Sequence, residues 1–308
     1  MKSARYREEW SGRHQAVDWR EVWIVPEKSV DPGRGNAGVT APVRRGLDGS
    51  PRSPWLGLHR PAKGPPRARL LIIPFAGGNA SAFYPWLAHL GPAEWLEVAV
   101  VQPPGRGPRF REPPLTSLEE YASAVAMLAQ DLEREHGASP LTLMGYSMGA
   151  LVAYLALRDH GASLPAAHLI VAARSAPSSR SPCERDAPAM TREQLLARLR
   201  RLQGTPESVL DNPGLIEPYL ASIASEFQLV DGWTSQFLPP VQVDLTVIAA
   251  LEDPETPLAG ALNWEQLTEA NFLGHIVRGG HFFMNSARET VCAVVNDTIA
   301  HTIEGDTE

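Results

Sequence analysis

The segment Leu141-Thr-Leu-Met-Gly-Tyr-Ser-Met-Gly-Ala-Leu-Val-Ala-Tyr-Leu-Ala-Leu157 carries the strongest local signal in the chain. Leu141–Met144 is a short apolar run of the kind that forms a buried strand, and Ala150–Leu157 continues as a helix. Between them stands Gly145-Tyr-Ser-Met-Gly149, a G-x-S-x-G motif in the strand–turn–helix setting that gives the motif its meaning. A serine on so sharp a turn takes a strained backbone conformation, and side chains two residues to either side would collide, hence the glycines. Its hydroxyl then stands above the sheet edge at the N-terminus of a helix, where the dipole favours developing negative charge. Ser147 is therefore the expected nucleophile.

Outward from this segment, short apolar runs alternate with helical periodicity. Leu70–Phe75, Val98–Gln102, Leu169–Ala173, Leu245–Ala250 and His275–Arg278 read with Leu141–Met144 as buried parallel strands. Leu118, Tyr121, Ala122, Val125, Leu128, Ala129 and Leu132 share one helical face, with Ser117 and Glu120 as a capping box. The last helix opens on Ser286 and Glu289 and turns Val291, Val294, Val295 and Ile299 inward. This alternation predicts an α/β fold, a mostly parallel sheet covered by helices on both faces. One segment, about residues 187–237, has no convincing strand; Thr191 and Gln194 box a helix striped by Leu195, Leu196, Leu199 and Leu202. It is expected to be a helical insertion, serving either as a lid or as a plain structural cap.

The 308 residues are 44% apolar and 20% charged, a globular composition that excludes a wholly disordered, collagen-like or coiled-coil chain. Residues 1–54 are broken by Pro, Gly and Arg and are expected to be a disordered extension. Within them Trp19–Pro26 has the makings of one short strand or turn, without a visible partner. Residues 55–308 then form a single catalytic domain. Nothing approaches 18 consecutive apolar residues, so no membrane span is expected, and the charged N-terminus lacks a secretory h-region, which points to the cytoplasm. Cys183 and Cys292 stand far apart with no C-x-x-C, against a disulfide framework or zinc site. Net charge is +4 over residues 1–60 and −11 over the remainder, for a total of −7, so a nucleic-acid partner is not expected.

A serine hydroxyl needs a base to take its proton, and the base needs an orienting carboxylate. In this fold these follow in the order Ser, acid, His. His281, in Arg278-Gly-Gly-His-Phe-Phe-Met284, lies in a loop at a strand's C-terminal end, the edge where the nucleophile stands. His160, His168, His275 and His301 are worse placed. The strand Leu245–Ala250 is followed by Glu252, Asp253 and Glu255; Asp253-Pro254 starts a turn at the expected distance and is preferred, with Asp231 and Asp244 in reserve. The oxyanion hole needs two backbone N–H groups. Met148 supplies one and Ala76 the other, with its neighbour Phe75 as the alternative.

With these residues assembled, the chain from about Trp55 to His301 resembles the type II, stand-alone thioesterases of polyketide and nonribosomal peptide biosynthesis. The resemblance rests on Pro74-Phe-Ala-Gly-Gly78, Val101-Gln-Pro-Pro-Gly-Arg-Gly107, Glu112-Pro-Pro114, Gly145-Tyr-Ser-Met-Gly149, the insertion around Leu195–Pro206 and Gly279-Gly-His-Phe-Phe283. It implies an α/β-hydrolase with a helical lid, acting on acyl groups held by the phosphopantetheine arm of acyl or peptidyl carrier proteins and editing stalled or mis-primed synthases. Nucleophile, acid, base and oxyanion donors carry over to Ser147, Asp253, His281, and Ala76 with Met148. No cofactor or metal is required, and a monomer is expected. Two departures stand out: Ala250 occupies a place usually held by glycine, and Pro103 one usually held by leucine. An acidic body must meet an acidic carrier through a local basic patch, Arg106, Arg109 and Arg111 or Arg192, Arg198, Arg200 and Arg201. Competing readings are a small-molecule carboxylesterase or acyltransferase of the same fold, and a non-catalytic hydrolase-fold binding module.

Overall fold

A computed structural model describes residues 22–24, 53–177, 190–235 and 237–305. Eight strands form one sheet in the order β1-β8-β7-β6-β5-β3-β4-β2. They are β1 (Val22–Ile24), β2 (Leu56–Arg60), β3 (Ala68–Ile73), β4 (Leu96–Val101), β5 (Leu141–Tyr146), β6 (Ala166–Ala172), β7 (Asp244–Ala250) and β8 (Phe272–Val277). Every neighbouring pair is parallel except β2 with β4. The parallel core strands β3, β4 and β5 are buried along their whole length, which is why they read as unbroken apolar runs.

Helix α1 (Leu118–His136) and helix α2 (Met148–His160) cover one face. The other is covered by a 3₁₀ segment, Ala80–Ala88, and by α8 (Arg288–Gly305), while the short α6 (Leu258–Leu262) follows β7. All seven predicted core positions of α1 are buried, as are Val291, Val294, Val295 and Ile299 of α8. The insertion contains α3 (Arg192–Leu202), α4 (Glu207–Leu210) and α5 (Pro213–Gly232), whose apolar faces form a small core of their own. The four leucines of α3 are buried there, each contributing about 1.5–3 kcal/mol.

Three local expectations are corrected. Val22–Ile24 is a strand with a distant partner: it pairs in register with Gly274–Ile276, extending the sheet beyond β8. The remainder of residues 1–52 lies outside the described residues. Helix α8 starts at Arg288, not after Ser286, because Ser286 closes a separate turn of helix, α7 (Phe283–Ser286). The box on α1 is half made: Ser117 Oγ accepts the Glu119 and Glu120 N–H groups. On α3 both halves of the Thr191–Gln194 box are present.

The edge of the sheet opposite the C-terminal strand ends is fastened by charge. Buried Arg69 donates from Nε to Glu97 Oε2 at 2.6 Å and from Nη2 to the carbonyls of Leu132 and Gly137. Glu97 Oε1 lies 2.7 Å from His59 Nε2 and 2.6 Å from His136 Nδ1, with the two imidazole rings stacked. Burial would raise the Glu97 carboxyl, but these hydrogen bonds and the Arg69 charge outweigh it and hold the group below its ordinary range.

Candidate active site

The turn after β5 imposes its own geometry. Ser147 sits at φ 52°, ψ −111°, a conformation that non-glycine residues rarely hold. A Cβ at position 145 would lie 2.1 Å from the Gly149 carbonyl oxygen, and one at position 149 would lie 2.1 Å from that of Ile73. Both glycines are thus fixed by close backbone approach, and the second also brings the start of α2 against the end of β3. The loop Phe75–Gly77 and the first turn of α2 thereby share one corner of the sheet edge.

His281 and Asp253 meet Ser147 there from the loops after β8 and β7. His281 Nε2 is 3.1 Å from Ser147 Oγ, and His281 Nδ1 is 2.8 Å from Asp253 Oδ2 and 3.0 Å from Oδ1. Asp253 Oδ1 also accepts the N–H groups of Glu255 at 2.9 Å and Thr256 at 3.1 Å. Burial pushes the Asp253 carboxyl up, but the hydrogen bond and charge of His281, with these two further bonds, more than reverse that. The acid is held ionised, as an orienting carboxylate must be. Ala250 in place of glycine leaves the turn able to deliver Asp253 to His281.

The alternatives do other work. Glu252 accepts the Gly279 N–H, and its own N–H donates to the Gly279 carbonyl at 3.0 Å, tying the acid loop to the histidine loop. Glu255 pairs with Arg198 and Arg201 of α3, and Asp231 of α5 pairs with Arg198. Asp244 opens β7 at the opposite edge, where it accepts the Asn271 N–H. Burial lowers both His168 and His275 to about 4, so neither is a base of useful strength. Cys292 is free and buried on α8, its thiol pushed up to about 12, while Cys183 lies outside the described residues.

Two supports were not legible in the motif. Tyr146, fully buried, donates its hydroxyl to the His281 carbonyl at 2.7 Å and accepts the Met284 N–H at 3.3 Å, so the residue before Ser147 braces the histidine loop. Phe282 stacks edge-on against Phe75 and fills the space over Gly204 of the insertion, where a Cβ would come within 2.2 Å of its ring. Ser147 and His281 open into a narrow cavity of about 50 Å³. Phe75, Ala76 and Gly77 form one wall, and Leu199, Leu202, Ile223 and Phe227 of the insertion form the other.

The two candidate basic patches are largely neutralised. Arg106 is buried against Glu226 and offers no surface charge, which removes it from any docking patch. Arg109 lies over the Trp55 ring and pairs with Glu112. Arg192 pairs with Glu217, Arg200 with Glu207 and Asp211, and Arg198 and Arg201 with Glu255. Among the described residues, exposed Arg111 alone of the seven has no carboxylate in reach.

A family model described as a thioesterase domain matches residues 68–299. The gramicidin S biosynthesis protein GrsT of Aneurinibacillus migulanus is 32% identical over 225 residues, covering 72% of this chain and 85% of its own. Thioesterase PikA5 of Streptomyces venezuelae is 30% identical over 247 residues, covering 79% of this chain and 84% of its own. Among solved structures, the type II thioesterase BorB from the borrelidin biosynthetic cluster superposes with a TM-score of 0.67 at 27% identity, covering 82% of this chain and 98% of that one. No helix among the described residues is long and apolar enough to cross a membrane.

Proposed function

The chain belongs to the thioesterase family, and on that premise we propose that it hydrolyses acyl thioesters from the phosphopantetheine arms of carrier proteins, editing stalled or mis-primed polyketide or nonribosomal peptide synthases in the cytoplasm. The observation that carries the reading is the hydrogen-bonded chain Ser147–His281–Asp253, its histidine and acid buried and its serine half-buried, opening into an apolar cavity under a helical insertion. Ser147 Oγ attacks the thioester carbonyl while His281 Nε2 takes its proton. Asp253 keeps the remaining imidazole proton on Nδ1 and stabilises the imidazolium. The N–H groups of Ala76 and Met148 hold the tetrahedral oxyanion. The C–S bond then breaks and the pantetheine sulfur leaves with the proton returned from His281 Nε2; its thiol has a pKa of about 8.5, which makes it a better leaving group than an alkoxide or amine. Water, deprotonated by His281, attacks the acyl-serine and releases the acid.

The insertion, α3 to α5, serves as a lid. A cavity of about 50 Å³ has room for a few water molecules or a short acyl group, so a long chain enters only with the lid displaced. Residues 55–308 form one catalytic unit, and of the seven candidate arginines Arg111 is the one without a carboxylate among the described residues to compete with an acidic carrier protein. The test is intact-mass analysis of a panel of acyl-loaded carrier proteins with and without the enzyme, alongside kcat/KM for acyl-pantetheine and for the matching oxygen ester. Loss of the acyl mass increment with preference for the thioester is the expected result. Equal or better turnover of the oxygen ester would make the chain a general esterase.

A further inference from the structure

The Gln102–Gly107 loop carries a motif that the triad leaves unused, and its arginine has an unusual setting. Arg106 is 3% exposed and the lid residue Glu226 is fully buried. Arg106 Nη2 donates to Glu226 Oε1, and Nη1 donates to the Gly78 carbonyl at 3.0 Å. The other carboxylate oxygen, Glu226 Oε2, accepts the Gly77 N–H at 2.7 Å. Two groups of one short turn, Phe75–Gly78, are therefore held through a single ion pair whose acid belongs to helix α5. The turn's own closing bond, from the Gly78 N–H to the Phe75 carbonyl, is 2.8 Å.

The surrounding residues are shaped for this contact. Gly105 is at φ +76°, and a Cβ there would stand 2.6 Å from Ser222 Oγ of α5, which itself donates to the Gly105 carbonyl. Gly77 is at φ +80°, and a Cβ there would meet Ile223 at 3.2 Å. One face of α5, Ser222, Ile223 and Glu226, thus seats on both loops. Apolar residues of similar volume often replace a buried ion pair without loss of stability, so what such a pair adds is geometry, through directional bonds.

We propose that Arg106 and Glu226 are positioning residues that clamp lid helix α5 to the Phe75–Gly78 turn, so that the oxyanion donors are correctly set only while the lid is docked. The inference rests on the thioesterase reading above and adds a coupling between substrate enclosure and catalysis. Withdrawing α5 takes away the acceptor of the Gly77 N–H and leaves Arg106 without its carboxylate, and the turn bearing Ala76 relaxes.

The test compares Glu226→Gln, which keeps an acceptor for Gly77, with Glu226→Leu, which keeps volume alone. Kinetics use a small acyl-pantetheine substrate, with active sites counted from the end point of serine phosphonylation. In E226L kcat falls at least about tenfold and at most the roughly 10²–10³-fold lost when an oxyanion donor is deleted outright, with KM changed less than about threefold. E226Q, whose amide oxygen can accept the Gly77 N–H while its NH₂ group confronts Arg106, recovers part of that loss, and amide exchange of the segment 75–78 is faster in E226L than in wild type. A kcat per active site within twofold of wild type in E226L, with only thermal stability reduced, would overturn the proposal, as would unchanged exchange. If E226L does not fold, Arg106→Lys, which loses the fork joining Gly78 to Glu226, is held to the same limits. A wild-type enzyme that leaves the thioester intact defeats the functional reading, while exchange at 75–78 still decides the clamp.

Discussion

Replacing Asp253 by Asn preserves shape and removes charge, and the structure dictates which amide atom faces the histidine. Asp253 Oδ1 receives two backbone N–H groups, at 2.9 and 3.1 Å, whereas Oδ2 stands 2.8 Å from His281 Nδ1. In the variant the amide oxygen takes the first place, because an NH₂ group there would confront two donors. The NH₂ group then points at His281 Nδ1, which must become an acceptor, so the ring proton moves to Nε2 and the nitrogen facing Ser147 can no longer accept a proton. The wrong tautomer costs about 10⁴-fold in kcat by analogy with serine proteases, about 5.4 kcal/mol at 1.36 kcal/mol per decade. The assay is initial-rate hydrolysis of a small acyl-pantetheine thioester, with Asp244→Asn at the opposite sheet edge as control. The backbone bonds persist, so the fold should survive. A loss under tenfold in D253N, in protein with a native melting curve, would refute the assignment of Asp253 as orienting acid and of His281 as the base it holds.

Four further outcomes follow from the same contacts. Glu97→Leu leaves Arg69 buried and unpaired, which should cost about 3–5 kcal/mol and lower Tm by several degrees in thermal melts, with kcat per folded molecule retained. Because the folded-state carboxyl of Glu97 is depressed, its stabilisation is complete above the unfolded value near about 4.3 and is lost as pH falls through the folded value. Wild type should therefore lose Tm on acidification more steeply than E97L; parallel curves would contradict this. Arg198→Ala removes the bridge between α3, α5 and the acid loop, and should raise kcat/KM for long acyl chains relative to acetyl and speed proteolysis within residues 190–235; unchanged chain-length preference would count against the lid. Arg111→Glu should raise KM about fivefold for a carrier-bound substrate at low salt and leave a small thioester unaffected, equal effects on both being the refuting result. Gly149→Ala forces a Cβ to within 2.1 Å of the Ile73 oxygen and should abolish soluble, active protein; wild-type yield and rate would contradict the packing described.

The core strands and the meeting of the three candidate site residues were legible for the same reason. Parallel strands buried on both faces must be apolar throughout, so the six runs beginning near Leu70, Val98, Leu141, Leu169, Leu245 and His275 each became a strand, with ends shifted by a few residues. The convergence of Ser147, Asp253 and His281 followed from chain order and strand ends, because in a parallel sheet the loops after β5, β7 and β8 open on one edge. Edge elements were harder. β2 (Leu56–Arg60) has one apolar face and an irregular register with β4, and β1 is three residues whose only cue is a partner some 250 residues away. The buried polar network escaped altogether, since Arg106 and Glu226 look like surface residues until α5 is folded over them. The basic patch was misjudged for a related reason: a count of arginines does not show that Asp231 and Glu255 lie opposite Arg198.

The lid is held by two charge networks that differ in their access to ions. Arg198 and Arg201 with Asp231 and Glu255 lie near solvent, Arg201 being 57% exposed, whereas Arg106 and Glu226 are sealed. Mobile ions weaken the first and hardly reach the second. Rising salt should therefore loosen α3 over the acyl cavity while α5 stays seated on the Phe75–Gly78 turn. The enzyme would then accept bulkier acyl groups at high ionic strength without surrendering its oxyanion geometry, so chain-length selectivity and catalytic rate become separately adjustable properties of one lid.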